Sequence, residues 1–199
     1  MAVPEERFPF SGGTTDQAFF ADFSDRPLTM RGVTEADLPE LLRVDREVFP
    51  EEPYPYFVLR QHFDAHGDRF LVLDDGECLH GYVLFVNSSD GYVCWVLSLA
   101  VSADQRGRGL GKRLMLEVLR QLRRERVHEV RLTVEPTNAA AIQLYRSLGF
   151  SAEGGVHGDY LGPGEDRLIM TLGLGMGAGT GMGTGTGTGM GPGRVPGRG

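Results

Sequence analysis

The chain has 199 residues, 41% of them hydrophobic, with a formal net charge of −7 at pH 7 and a pI near 5.2. This length and hydrophobic content suit one domain with a substantial core. The acidic balance argues against a general nucleic-acid-binding protein and mildly favours a cationic partner such as an amine. We find neither an export signal nor an apolar run of about 18 residues, and we therefore expect no membrane span.

Composition divides the chain into three segments. Residues 1–27 mix phenylalanines with Pro, Gly and acidic residues, which predicts an extended N-terminal arm. Residues 173–199 are near-repeats of Gly-Thr and Gly-Met, and we predict a disordered tail there. Residues 28–172 form the globular domain. Its two cysteines, Cys78 and Cys94, both lie in apparent strand sequence, which predicts reduced, buried thiols in a cytoplasmic protein.

The globular segment alternates strand and helix patterns. Thr34-Glu35-Ala36-Asp37 is close to a capping box and predicts a helix that extends to about Val48, with Asp45 interrupting its apolar face. Asp75-Gly76 predicts a hairpin turn. Strands are predicted over residues 28–33, 69–73, 79–86, 91–101, 129–135, 152–160 and 167–172, and helices over residues 34–48, 56–65, 138–148 and from 110 onward.

A glycine-rich run follows the strand that ends at Val101. It reads Arg106-Gly107-Arg108-Gly109-Leu110-Gly111 and leads into an amphipathic helix that opens at Leu110. A strand that turns through small residues into a helix directs unpaired backbone N–H groups and the positive end of the helix dipole at one point. Together with Arg106, Arg108 and Lys112, this arrangement predicts a phosphate-binding loop.

The glycine pattern alone would also suit a dinucleotide or a nucleoside triphosphate. There is, however, no G-x-x-x-x-G-K-[ST] run in the chain. A dinucleotide fingerprint should open the first strand–helix unit, whereas this loop lies past the middle of the chain. Both alternatives therefore fit poorly.

A second motif occurs some thirty residues later. Asn138 to Phe150 read N-x-x-A-x-x-L-Y-x-x-x-G-F, preceded by Leu132-Thr133-Val134-Glu135-Pro136. With the R-x-x-G-x-G run from Arg106 to Gly111, this segment resembles the GNAT superfamily of acetyl-CoA-dependent N-acetyltransferases over residues 28–172. The wording N-A-A-A-I-x-L-Y is most similar to the ribosomal-protein alanine acetyltransferases. The resemblance implies an α+β fold with a single mixed, splayed β-sheet flanked by helices.

The resemblance also implies where acetyl-CoA binds. The strand ending at Val101 would splay from the strand at 132–135, and the pantetheine arm would lie in the gap and bond main-chain groups. Asn138 would hold the arm, although it could equally be a helix N-cap only. The expected cofactor-binding residues are Leu99, Ala100 and Val101 for the arm, and Arg106, Gly107, Arg108, Gly109, Leu110, Gly111 and Lys112 for the pyrophosphate.

Acetyl transfer to an amine needs a neutral amine and a proton for the departing thiolate. Tyr145 matches the family tyrosine that supplies this proton, and its alternative is a core tyrosine with a satisfied hydroxyl. The alanine acetyltransferase branch carries a glutamate where this chain has Thr133. Glu135 should share a strand face with Thr133 and is our candidate base. Asp90, Tyr92, an amine that arrives neutral, or a merely solvated Glu135 remain open.

The resemblance places the acceptor wall at residues 49–57, where Tyr54 or Tyr56 could contact substrate or simply pack two helices. His62 and His66 stand one helical turn apart but lack a third ligand, so we predict no metal site. The predicted function is acetyl transfer to a primary amine, either a peptide N-terminus or a small molecule. The alternative is a non-catalytic acyl-CoA-binding sensor. The oligomeric state does not follow from the sequence.

Overall fold

The computed structural model describes residues 27–175. The N-terminal arm, apart from its last residue, and the tail from residue 176 lie outside these described residues. Within residues 27–175, no helix is both long and apolar enough to cross a membrane.

The order of strands and helices is the predicted one. Within residues 27–175, three short 3₁₀ turns accompany these elements, at Glu35–Asp37, Gly67–Arg69 and Ala103–Gln105. The strands and helices of the described residues are β1 (Thr29–Gly32), α1 (Leu38–Val48), α2 (Tyr56–His66), β2 (Phe70–Asp74), β3 (Leu79–Asn87), β4 (Val93–Val101), α3 (Leu110–Arg124), β5 (Glu129–Val134), α4 (Ala139–Ser147), β6 (Ser151–Ala152) and β7 (Leu168–Gly173).

The strands form one mixed sheet in the order β1-β2-β3-β4-β5-β7-β6. The β4–β5 pair is parallel, whereas β1–β2, β5–β7 and β6–β7 are antiparallel. The register of β4 on β5 runs from Val93 opposite Glu129 to Val96 opposite Leu132, although β4 continues to Val101 and β5 to Val134. The two strands are therefore paired only over the first four residues of each, which confirms the predicted mixed, splayed sheet.

The described chain divides into two compact units. The first comprises residues 27–83 with Ala100–Leu110, and the second comprises Leu84–Leu99 with residues 111–175. Each has apolar side chains that are fully or almost fully buried. They include Leu38, Leu41, Val44, Leu59, Phe70 and Val72 in the first unit, and Leu114, Val118, Leu122, Val130, Leu132 and Met170 in the second.

Local hydrogen bonds explain where α1 and α4 begin. The Thr34 backbone N–H donates to the Asp37 carboxylate at 2.7 Å, so the predicted capping box is present, although a 3₁₀ turn precedes α1. Asn138 caps α4, since its side-chain oxygen accepts the Ala141 backbone N–H at 3.0 Å.

Two predictions about local structure were wrong. The strand predicted at 152–160 is reduced to Ser151–Ala152, followed by an isolated bridge between His157 and Arg167. Glycines crowd this segment, and its residues are exposed, so no apolar face holds it on the sheet. Cys78 is exposed in the turn between β2 and β3, whereas Cys94 is buried as predicted, and neither cysteine forms a disulfide bond.

Candidate active site

The glycine-rich loop joins β4 to α3, as the sequence predicts. Gly107 and Gly109 have φ angles of 77° and 73°, a backbone region that favours glycine. A Cβ atom at either position would meet no atom within 4 Å, so these glycines are needed for the backbone turn and border open space. Because α3 begins at Leu110, its first backbone N–H groups have no partner within the helix. The loop thus has the form of an anion-binding turn.

The basic side chains of this segment are exposed and form no ion pairs with carboxylates of the described residues. The Arg106 Nε donates to the Val101 carbonyl at 3.2 Å, and the Arg108 guanidinium donates to the side-chain oxygen of Gln105 at 2.5 Å. Among the described residues, neither arginine nor Lys112 forms an ion pair. Their charge is therefore available to a bound anion.

The end of β4 offers main-chain groups beside this loop. Leu99 and Val101 are half-buried and Ala100 is buried, and none of the three is in register with β5. The hydroxyl of Ser102 is buried and finds no hydrogen-bond partner within residues 27–175. Such an orphaned hydroxyl favours a polar ligand at this point of the chain.

Asn138 is an N-cap in the structure, so the capping interpretation holds. Its side chain is exposed, and its backbone N–H donates to the Glu135 carbonyl at 3.0 Å. The side-chain NH₂ group makes no hydrogen bond to the described residues. That donor remains free for a ligand while the side-chain oxygen caps α4, so the two predicted roles are compatible.

Tyr145 combines a packed ring with an unpaired hydroxyl. The side chain is 7% exposed, and its ring centroid lies 5.9 Å from that of Phe150. Burial raises the pKa of the phenol to about 12. The hydroxyl has no hydrogen-bond partner among residues 27–175. It is not among the polar atoms that are both fully buried and without a partner, so the hydroxyl oxygen is accessible to solvent. A core tyrosine with a satisfied hydroxyl does not fit these observations.

Glu135 lies in the loop after β5, one residue beyond the strand end at Val134, which corrects the predicted strand of 129–135. The following proline has no N–H for a β-ladder, and Glu135 itself is exposed. Its strand-face relation to Thr133 is therefore not present. Glu135 instead lines an open pocket of about 380 Å³, together with Pro136, Thr137, Val156, Gly164, Glu165, Asp166 and Arg167.

The other candidate bases occupy a turn. Asp90 bonds the Ser88 hydroxyl at 2.5 Å and the Tyr92 backbone N–H at 2.9 Å, and these bonds lower the pKa of its carboxyl. The Tyr92 ring stacks on His128 at 4.4 Å. Both side chains therefore have local structural roles.

The histidine pair on α2 lies beside the predicted acceptor wall. The ring centroids of His62 and His66 are 6.3 Å apart, and burial, with a smaller effect of His66, lowers the pKa of His62. Tyr54 is half-buried with its ring 6.1 Å from His62, whereas Tyr56 is exposed. Residues 27–175 hold no group of three or more His, Cys, Asp or Glu side chains placed to bind a metal ion.

One buried ionisable residue was not predicted as part of the site. Asp45 on α1 is fully buried, and its carboxylate accepts the Tyr54 backbone N–H at 2.6 Å and the Tyr82 hydroxyl. Burial raises the pKa of this carboxyl, and the two hydrogen bonds oppose that effect. The sequence signal was the acid on the apolar face of the helix that starts near Leu38.

Comparison with known proteins places this geometry in a family. Residues 35–150 match the model of the acetyltransferase (GNAT) family. The chain is 31% identical to an N-alpha-acetyltransferase of Sulfolobus acidocaldarius over 157 residues, which cover 71% of this chain and 90% of that protein. It is 37% identical to an L-methionine sulfoximine/L-methionine sulfone acetyltransferase of Pseudomonas aeruginosa, over 63% of this chain and 81% of that protein.

Among solved structures, the ribosomal-protein-S18-alanine N-acetyltransferase of Escherichia coli superposes with a TM-score of 0.66 at 25% identity. The superposition covers 78% of this chain and 99% of that one. The predicted resemblance to the alanine acetyltransferase branch is thereby confirmed. Since the family model spans more than half of the chain, the protein belongs to the GNAT family and is an acetyl-CoA-dependent N-acetyltransferase.

Proposed function

We propose that the amine acceptor is the N-terminus of a peptide or protein. The observation that carries this proposal is the pocket beside Glu135, which is open to solvent and bordered by Glu165 and Asp166. Its openness suits a chain end that extends into solvent. Glu165 is paired with Arg167, but Glu135 on the same wall forms no ion pair among the described residues and suits a terminal ammonium group. The relative from S. acidocaldarius, named an N-alpha-acetyltransferase, gives further support. The second candidate acceptor is a small amine, because the relative from P. aeruginosa is named as an acetyltransferase of small molecules.

Acetyl-CoA supplies the activated acetyl group as a thioester when it is bound. Residues Arg106, Gly107, Arg108, Gly109, Leu110, Gly111 and Lys112 would contact its pyrophosphate. The open glycines and the unpaired basic side chains support this assignment. The main chain of Leu99, Ala100 and Val101 and the free amide of Asn138 would hold the pantetheine arm. Ser102, whose buried hydroxyl lacks a partner, fits a polar ligand at the same strand end.

Tyr145 would donate the proton that the departing thiolate needs. The raised pKa of about 12 keeps the phenol protonated at any physiological pH. Its acidity does not drive the transfer, because a phenol is a weaker acid than a thiol. Proximity and the growing basicity of the sulfur must therefore do so.

Glu135 would accept the proton of the incoming ammonium, directly or through water. Its exposed position on the pocket wall supports this role. Replacing Glu135 with Gln should shift the rising limb of the kcat/KM profile to higher pH, because the acceptor then depends on its own pKa. An unchanged profile would show that Glu135 is not the base and would favour an amine that binds in its neutral form.

The segment between α1 and α2, residues 49–55, would form a wall of the acceptor site, as the family resemblance implies. It carries Glu51 and Glu52, both exposed, and the half-buried Tyr54. We also propose that the protein is cytoplasmic, which fits two cysteines that form no disulfide bond.

The decisive experiment is thiol release from acetyl-CoA by the full chain. The panel should contain short peptides with free N-termini, the same peptides with blocked N-termini, and small amines. Turnover of the free peptides alone supports the proposal, whereas turnover of small amines alone overturns the peptide assignment. Calorimetric binding of acetyl-CoA without any turnover would favour a cofactor-sensing module.

A further inference from the structure

A buried carboxylate holds the α1–α2 loop, which comprises residues 49–55. Asp45 is fully buried on α1, and it accepts the Tyr54 backbone N–H at 2.6 Å and the Tyr82 hydroxyl from β3. Within residues 27–175, no Arg, Lys or His forms an ion pair with this carboxylate. A buried acid without a cationic partner is costly to maintain, and no step of the proposed reaction involves this one. Its two hydrogen bonds connect α1 to the backbone of Tyr54 and to the side chain of Tyr82.

The hydrogen bond from Tyr54 fixes the main chain at the end of this loop. Because it is made by a backbone N–H, it constrains the path of the chain whatever the side chain at that position. The Tyr54 ring packs toward α2, with its centroid 6.1 Å from that of His62. Glu51 and Glu52 remain exposed on the same loop. The loop is thus anchored at one end and presents its acids to solvent.

The same end of α1 also bonds the segment that follows β4. The Glu47 carboxylate, two residues after Asp45, accepts the Ala103 backbone N–H at 3.0 Å. Beside Tyr82, a Cβ atom at Gly81 would lie only 2.6 Å from the Ala100 carbonyl oxygen. Inside the first unit, α1, β3 and the end of β4 are therefore connected by close contacts. Asp45 extends this network to the α1–α2 loop.

We propose that Asp45 is a positioning residue that fixes the α1–α2 loop relative to the end of β4 and thereby sets the affinity for the amine acceptor. It is not a catalytic residue, because a fully buried side chain cannot touch substrate. This inference rests on the proposed function, in which the loop forms one wall of the acceptor site. Acetyl-CoA binding, in contrast, should not depend on Asp45.

Three substitutions separate the positioning role from charge and from packing. Asp45→Asn can still accept the Tyr54 N–H and can donate to the Tyr82 oxygen, so it should retain the loop. Asp45→Leu is branched at Cγ like aspartate but larger, and it removes both hydrogen bonds. Glu40→Gln removes one negative charge from the exposed side of the same helix and is the matched control. If this larger side chain prevents folding, Asp45→Ala replaces it, since alanine removes both hydrogen bonds without adding volume.

Steady-state kinetics of the full chain give the first test. We expect Asp45→Leu to raise the acceptor KM about tenfold and to leave kcat and the acetyl-CoA Kd within about twofold. Asp45→Asn and Glu40→Gln should stay within about twofold of the wild type for all three quantities. An unchanged acceptor KM in Asp45→Leu, or an equal loss of acceptor and acetyl-CoA affinity, would overturn the inference.

Hydrogen exchange gives a second test that needs no turnover. The peptide containing Tyr54 should exchange about tenfold faster in Asp45→Leu than in Asp45→Asn, with no change in peptides from α3. Equal exchange in the two variants would refute the anchoring role even if every variant were inactive. A wild type that acetylates no amine would instead refute the proposed function, and the exchange result would still decide the role of Asp45.

Discussion

At the residue scale, the proton donor that we propose, Tyr145, is a weak acid whose ring is held by packing. Its ring packs beside Phe150 within the second unit, whereas its hydroxyl is left without a partner among the described residues. Packing fixes the position of the ring, and burial disfavours the charged phenolate. The side chain is therefore held in one place and in one protonation state, which is what a proton donor requires.

Replacing Tyr145 with Phe tests this role. Phenylalanine keeps the packed ring, so we expect the melting temperature and the acetyl-CoA Kd to change little. Loss of the donor should lower kcat by about a hundredfold. Steady-state thiol-release assays would measure kcat, and calorimetry would measure the melting temperature and the acetyl-CoA Kd. A variant with full kcat would show that the proton comes from elsewhere.

The raised pKa of Tyr145 also predicts the shape of the pH profile. A pKa of about 12 means that the donor form persists below that value and is lost only as the pH rises through it. We expect kcat/KM to rise to a plateau and then to stay level up to about pH 10.5. The measurement is thiol release between about pH 6.5 and 10.5 in buffers of constant ionic strength. A falling limb near pH 9 to 10 that disappears in Tyr145→Phe would contradict it.

At the element scale, the close approach of β3 to β4 requires a glycine, Gly81, in β3. A Cβ atom at Gly81 would lie 2.6 Å from the Ala100 carbonyl oxygen and 3.3 Å from the Val101 Cα. These are the strand residues to which we assign the pantetheine arm. A backbone oxygen cannot move aside as a flexible side chain can, so this glycine sets the position of the end of β4.

Gly81→Ala should therefore displace the end of β4. We expect a loss of about 1–3 kcal/mol in the free energy of unfolding and a weaker acetyl-CoA affinity. Gly32→Ala in β1 is the matched control, because a Cβ atom there meets nothing within 4 Å. It should leave affinity unchanged and stability equal or slightly higher. Urea unfolding and calorimetry would measure the two effects, and identical behaviour of both variants would contradict the argument.

The elements that the sequence predicted well are those with strong periodicity or a motif. The α3 residues Leu114, Val118 and Leu122 follow a spacing of four, and all three are buried. Glu135 was misplaced because Pro136 ends the strand one residue earlier than the pattern of alternating residues implies. The role of Asp45 could not be predicted, since Tyr82 lies 37 residues away and only the tertiary fold brings the two together. Local patterns thus predict elements better than they predict contacts between them.

At the scale of the whole molecule, the C-terminal limit of the fold lies slightly beyond the boundary predicted at residue 172. β7 includes Gly173, which pairs with Glu129 of β5. Leu174 is 8% exposed, and its backbone N–H donates to the His128 carbonyl at 2.7 Å. These contacts attach Gly173 and Leu174 to the start of β5. The first residues of the Gly-rich segment therefore contribute to the sheet.

Two truncations test where the fold ends. A chain that stops after Gly175 keeps the Gly173 pairing and the buried Leu174, and we expect its melting temperature and acetyl-CoA affinity to match those of the full chain. A chain that stops after Leu172 loses both contacts. Burial of one leucine and one backbone hydrogen bond correspond to about 2–4 kcal/mol, so its melting temperature should fall by roughly 5–15 °C. Calorimetric melting of the three proteins decides the matter: equal stability of the two truncations would show that Gly173 and Leu174 contribute nothing to the fold.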